Sequence, residues 1–159
     1  MFFAALVGWP APLVAIQVLW INLVTDGLPA LALGMEPPER DIMSRRPRPP
    51  REPVITLRRG ALILFDGALI ASATAVGFQL TFAGDSSNLD QARTVAFCVM
   101  AYSQLVFSIA CRSRRYTMPQ LGMFSNPFLF GAIAISGLLQ LSVVLLPVAG
   151  GWFRWYGER

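Results

Sequence analysis

The chain has 159 residues, of which 55% are hydrophobic and only 14% are charged. Soluble domains carry about 25% charged residues, so this composition excludes a water-soluble globular fold, a disordered chain and a coiled coil. All 13 basic residues are arginine and the chain has no histidine, which excludes a P-loop lysine, a serine–histidine triad and a histidine zinc site.

Four apolar segments are long enough to cross a hydrocarbon core, which takes about 20 residues. We therefore predict an all-α membrane protein, a bundle of four transmembrane helices that forms a single domain over residues 1–159. The predicted spans are 12–35, 57–82, 94–111 and 127–148. The net charge is +4, and the arginines that cause it lie beside these spans. Their positive charge is therefore explained by the orientation of the chain in the membrane. We expect the lipid bilayer as a partner, and no nucleic acid.

The first span carries a carboxylate, Asp26, within its apolar run. A charge at the bilayer centre costs about 2.5–3.5 kcal/mol, so an intramembrane acid indicates a function. Asn22, Thr25 and Asp26 are spaced i, i+3 and i+4, which places them on one face of an α-helix. Their oxygens suit a hard cation such as Ca²⁺ or Na⁺, or a proton site, rather than a soft metal.

Gly27 and Pro29 follow this acid in the chain. Pro29 lacks an amide donor and clashes with the carbonyl of Thr25, so we predict that the helix is broken near Gly27–Pro29 and exposes carbonyl oxygens. The alternative is a proline-kinked structural helix whose polar side chains bond to neighbouring helices.

Arginines concentrate in two of the connecting segments, 36–56 and 112–126. By the positive-inside rule, both segments face the cytoplasm. The segment 36–56 is also rich in proline, which stiffens an extended chain. We expect it to form a docking loop for a cytoplasmic domain, with a solvated tether and a site for anionic lipid headgroups as the alternatives.

The later spans hold fewer polar side chains. Asp66 lies close enough to the cytoplasmic edge to pair with an arginine, and an ion or proton relay is the alternative. Gln104 has Ser108 one turn further along, and we expect it either to bond between helices or to bind an ion. Gln140 and Ser142 are expected to form hydrogen bonds between packed helices.

The residues from Val18 to Ala30, VLWINLVTDGLPA, resemble the sixth transmembrane helix of type-II P-type ATPases, the calcium pumps in particular. The resemblance continues through residues 36–38, EPP, and 41–48, DIMSRRPR, which are similar to the segment that joins helices six and seven in that family. The later spans look like helices seven, eight and nine. The resemblance thus implies the C-terminal membrane region of such a pump.

By this resemblance, the ion-coordinating asparagine, threonine and aspartate of the family correspond to Asn22, Thr25 and Asp26. Helix eight of the two-site calcium pumps adds a glutamate, and the matching position here is Gln104. A neutral amide at that position implies a single ion site. The implied cargo is Ca²⁺, with Mn²⁺ as an alternative because it accepts the same oxygen ligands.

The resemblance also implies partners. Nothing in the chain is similar to the actuator, nucleotide-binding or phosphorylation domain, so ATP and Mg²⁺ would act only through those domains, and the chain would not be catalytic by itself. It would work with helices one to five and the phosphorylation domain of a pump, in cis or in trans, in a bacterial inner membrane. The alternatives are a non-transporting pump fragment, an accessory membrane subunit, and an independent channel or carrier.

Overall fold

Residues 2–38, 41–44, 53, 55–113 and 125–145 are described by the computed structural model. Most of them lie in helices, which we number α1 (Phe2–Leu6), α2 (Ala15–Gly34), α3 (Leu57–Phe82), α4 (Leu89–Ala110) and α5 (Pro127–Leu145). Helices α2 to α5 are long and apolar enough to cross a membrane, and no strand occurs in the described ranges. The predicted all-α fold with four spanning helices is confirmed.

The helix ends lie close to the predicted span ends, with one exception. Helix α3 begins at Leu57 and ends at Phe82, as predicted, whereas α4 begins at Leu89 rather than residue 94. Helix α4 therefore includes Asp90 and Arg93, which precede its apolar part. Most of the predicted docking loop 36–56, most of the segment 112–126 and residues 146–148 lie outside the described residues.

Helix α2 is not a uniform α-helix. It is α-helical over Ala15–Trp20, π-helical over Ile21–Asp26 and α-helical again over Gly27–Gly34. The sequence predicted a break near Gly27–Pro29. The structure places the irregularity directly before those residues, and the chain stays helical through Pro29 because a π turn absorbs the misfit without interrupting the helix.

Helices α3 and α4 form a hairpin and make the most extensive helix–helix contact among the described elements. The turn between them needs left-handed backbone at Ala83 (φ 46°) and Gly84 (φ 80°). Within the hairpin, a Cβ on Gly77 would lie 3.3 Å from Val99 Cγ2 and 3.4 Å from Val95 Cγ1. The absence of a side chain at Gly77 therefore lets the two helices approach closely.

The buried core joins α4 to α2, α3 and α5. Its members on α4 are mostly small residues, which bring helix backbones together in a membrane. The core consists of Leu13, Ile21, Phe78, Ala92, Ala96, Phe97, Ala101 and Val143. Packing of α2 on both α4 and α5 places the π turn inside the bundle.

Candidate cation site

The π turn decides where the three predicted ligands of α2 point. A π turn holds more residues than an α turn, so the i, i+3 and i+4 positions no longer share one face. Thr25 is 1% exposed and faces the bundle, Asn22 is exposed and Asp26 is partly buried. The prediction that all three share a face, which assumed a regular α-helix, is therefore wrong for Thr25.

Two of the predicted ligands place an oxygen in the interior without a hydrogen-bond partner. Among the described residues, Thr25 Oγ1 and Gln104 Oε1 are buried and accept or donate no hydrogen bond. They lie on elements that pack against one another, the π turn of α2 and helix α4. Nearly all buried polar atoms in proteins are paired, so each unpaired oxygen requires an explanation such as an ion.

Asn22 and Asp26 are not enclosed by the described residues, since Asn22 is exposed and Asp26 is only partly buried. Neither side chain makes a hydrogen bond or an ion pair within the described ranges, so no arginine there neutralises Asp26. The described residues also hold no group of three acidic, cysteine or histidine side chains that could bind a metal. Four side chains with oxygen ligands of the right chemistry are thus available, but this part of the chain does not form a closed site.

Pro29 has a consequence for the backbone of the same turn. It removes the amide donor that would reach the carbonyl of Thr25 in α spacing, or that of Val24 in π spacing. The Ser136 hydroxyl of α5 donates a hydrogen bond of 2.7 Å to Val24 O. A side chain on another helix thus supplies a donor to the irregular backbone next to Thr25.

A second polar cluster lies just beyond the C-terminal end of α2. Arg112 donates to Glu36 through Nε (3.0 and 3.2 Å) and Nη2 (2.8 Å), and the Arg112 side chain is only 1% exposed. Asn126 donates through Nδ2 to Glu36 Oε2 (2.6 Å) and to Ala32 O (3.0 Å), while its Oδ1 accepts from Leu129 N (3.0 Å). Asn126 therefore caps the end of α2 and the start of α5 together.

These contacts set the charge state of Glu36. Partial burial raises the pKa of Glu36, but hydrogen bonds from Arg112 and Asn126 and the positive charge of Arg112 outweigh burial, so the pKa lies below its ordinary value. No sequence pattern pointed to this cluster, since Arg112 was interpreted as one of the topogenic arginines. Its only sequence signal is an arginine placed directly after an apolar helix.

The remaining polar predictions have mixed outcomes. Gln140 bonds between helices, as predicted, because its Oε1 accepts from Trp20 Nε1 at 3.0 Å. Ser142 does not, since its hydroxyl donates to Leu139 O in its own helix at 2.7 Å. Asp66 lines a groove of about 600 Å³ between α3 and α4, and within the described ranges it pairs with no arginine.

Comparison with known proteins places this architecture in a family. Residues 10–156 match the family described as "Cation transporting ATPase, C-terminus". The chain belongs to this family. The match covers all four spanning helices, the four predicted ligands on α2 and α4, and the polar cluster at Glu36.

Individual relatives agree with the family match. The chain is 44% identical over 147 residues to the "Calcium-transporting ATPase" of Bacillus subtilis, which is 92% of this chain and 16% of that protein. It is 35% identical over 164 residues to "Calcium-transporting ATPase 1" of Bacillus cereus, covering 92% of this chain and 18% of the relative. The rat "Calcium-transporting ATPase type 2C member 2" is 32% identical over 138 residues, 87% of this chain and 15% of the relative. The chain thus spans less than a fifth of these relatives.

Proposed function

We propose that the chain is the cation-binding membrane module of a P-type ATPase that transports Ca²⁺, with Mn²⁺ as the alternative cargo. The observation that supports it best is the pair of unpaired buried oxygens, Thr25 Oγ1 and Gln104 Oε1. A buried polar atom without a partner costs about 1–3 kcal/mol. A bound cation removes that cost, because it takes the place of the missing donor.

Each side chain has a distinct role in the proposed site. Asp26 supplies the negative charge, and Asn22, Thr25 and Gln104 supply neutral oxygens, which suits a hard cation. Ca²⁺ binds roughly 6–8 oxygen ligands, so other parts of a pump complete its coordination shell. The exposed position of Asn22 and the partial exposure of Asp26 are consistent with ligands arriving from helices that pack on this side. With one carboxylate and a neutral Gln104, the proposed site holds a single ion.

The energy source lies elsewhere in the pump. ATP and Mg²⁺ act on the catalytic domains, and the segment 36–56 carries the state of the site to the phosphorylation domain. A change in that domain shifts the bundle between tight and weak ion binding, which is transport by population shift. The fivefold or greater length of the calcium-transporting relatives, of which this chain covers 15–18%, supports this division. The bacterial relatives support a plasma membrane location.

The test uses a chimaeric pump, in which residues 10–156 of this chain replace the matching segment of the Bacillus subtilis calcium-transporting ATPase. Formation of the phosphoenzyme from radiolabelled ATP is measured against free Ca²⁺. We expect calcium-dependent phosphorylation in the unaltered chimaera and its loss in Asp26→Asn, because the ion loses its counter-charge. Asp85→Asn, an exposed carboxylate in the α3–α4 turn, is the matched control and keeps the calcium dependence.

The same assay separates the alternatives. Full calcium dependence in the Asp26→Asn chimaera contradicts the proposed role of Asp26. A chimaera that folds and reaches the membrane without any calcium-dependent phosphorylation favours a non-transporting fragment or an accessory subunit. Repeating the titration with Mn²⁺ decides between the two cargoes.

A further inference from the structure

Asn126, which directly precedes α5, and two residues of α5 contact α2 through buried polar side chains. Asn126 donates to Ala32 O at 3.0 Å, Ser136 donates to Val24 O at 2.7 Å, and Gln140 accepts from Trp20 Nε1 at 3.0 Å. The three side chains are 1%, 0% and 0% exposed. Later residues on the α5 side bond to earlier residues of α2, so the two helices run antiparallel.

Only one of these contacts lies at the π turn. Ser136 bonds to Val24 O, the carbonyl that directly precedes Thr25 and Asp26. Asn126 bonds to α2 after the π segment in the chain, and Gln140 bonds to it before that segment. Pro29 has no amide to donate to Val24 O in π spacing, so a donor from outside the helix can take that place. The Ser136 hydroxyl is the donor that the structure provides.

The register of the turn controls the ligands. In a π turn Thr25 faces the bundle interior, while an α turn over the same residues would rotate Thr25 and Asp26 about the helix axis. We propose that Ser136 is a positioning residue of the cation site, which holds the π turn of α2 in the register that presents Thr25 and Asp26 to the ion. This inference rests on the function proposed above and adds a residue that does not itself touch the ion.

The experiment uses the chimaeric pump and titrates phosphoenzyme formation with Ca²⁺. We expect Ser136→Ala to raise the Ca²⁺ concentration for half-maximal phosphorylation about tenfold, as for the loss of one buried hydrogen bond, with the maximal level unchanged. Ser136→Cys keeps the size of the side chain but donates weakly, so it should give a smaller rise. Ser142→Ala is the matched control, since that hydroxyl bonds within its own helix, and it leaves the titration unchanged.

A lower maximal level with an unchanged half-maximal concentration would show that Ser136 matters for folding alone, and would overturn the inference. An unchanged titration for Ser136→Ala overturns it as well. If Ser136→Ala does not reach the membrane, Ser136→Cys decides by the same two criteria. Asp26→Asn is measured in parallel: if it retains calcium dependence, the proposed function fails, and if only Ser136→Ala behaves like the unaltered chimaera, the positioning role alone fails.

Discussion

Helices α2 and α3 are both long and apolar enough to cross a membrane, but the hydroxyls of their side chains differ in hydrogen bonding. On α3, the hydroxyls of Ser72, Thr74 and Thr81 each donate to a carbonyl three or four residues earlier in the same helix, at 2.8, 2.8 and 3.0 Å. On α2, the hydroxyl of Thr25 is unpaired, and the backbone at Val24 is bonded by Ser136 from another helix.

The difference teaches how to recognise a functional polar residue in a membrane helix. A hydroxyl that bonds to its own backbone is satisfied wherever the helix lies, so its presence indicates nothing about ligands. A buried hydroxyl without this bond lowers the free energy of unfolding, because its lost hydration is not compensated by apolar packing. By this criterion the hydroxyls of α3 have a structural role, and α2 is the helix that carries the proposed site.

The largest expected effect sharpens this contrast between the two helices. Asp26→Asn in α2 should abolish calcium-dependent phosphorylation of the chimaeric pump, whereas Asp66→Asn in α3 should leave it largely intact. Asp66 lines an open groove with mostly apolar side chains, and neither Thr25 nor Gln104 lines that groove. Equal losses in the two variants would mean that α3 also carries an ion, and would restore the relay interpretation of Asp66.

The next effect concerns stability at the end of α2. Arg112→Gln leaves Glu36 partly buried without its charged partner, and breaking a buried pair costs about 3 kcal/mol. For a chain of this size that corresponds to a fall of about 6–12 °C in thermal midpoint. The measurement is thermal unfolding of the purified chain in detergent. The matched control is Arg58→Gln on the exposed start of α3, and a comparable fall there would contradict a special role for Arg112.

A third prediction separates stability from ion binding. Thr25→Val removes an unpaired buried hydroxyl, so the thermal midpoint of the chain without ion should stay the same or rise slightly. The Ca²⁺ concentration for half-maximal phosphorylation of the chimaera should rise about tenfold, because one ligand is lost. Thr74→Val on α3 should change neither quantity. A large loss of stability in Thr25→Val would indicate a structural partner for the hydroxyl instead of an ion.

The smallest effect is a pH dependence. A carboxylate whose folded pKa lies below its unfolded value adds stability above the unfolded value of about 4.3, and loses it as the pH falls through the folded value. The pKa of Glu36 is lowered in this way, by hydrogen bonds from Arg112 and Asn126 and by the charge of Arg112, against partial burial. Glu36→Gln should therefore be less stable than the unaltered chain at neutral pH, with a difference that shrinks below about pH 4.3. A difference in thermal midpoint that is constant with pH would contradict it.

The four spanning helices were predictable because each is a long apolar run, and burial of such a run in lipid depends on composition rather than on neighbours. Asp26 could be picked out as a candidate ligand for the same reason, since its cost in a membrane follows from its position in the run, and its role stays a prediction. Which residues of α2 share a face was not predictable. The π turn rotates Thr25 away from Asn22, and we attribute that turn to the packing of α2 against α4 and α5.

Hydrogen bonds between distant segments were the other part that no local pattern could give. Arg112 lies 76 positions from Glu36, and Ser136 lies 112 positions from Val24. Arg112 was interpreted as a topogenic charge, and no sequence pattern singled out Ser136. Both hydrogen bonds form only because the segments that contain Arg112 and Ser136 pack against α2 and the residues that follow it.

The sequence by itself determined the spanning helices, the side of the membrane on which each arginine-rich segment is expected and the chemical type of the proposed ligands, because these depend on transfer of residues between water and lipid. Only the tertiary structure decided which oxygens stay unpaired and which backbone carbonyl receives an outside donor. Those features arise where helices meet, and the free energy of a buried polar atom depends on the partner that the neighbouring helix supplies.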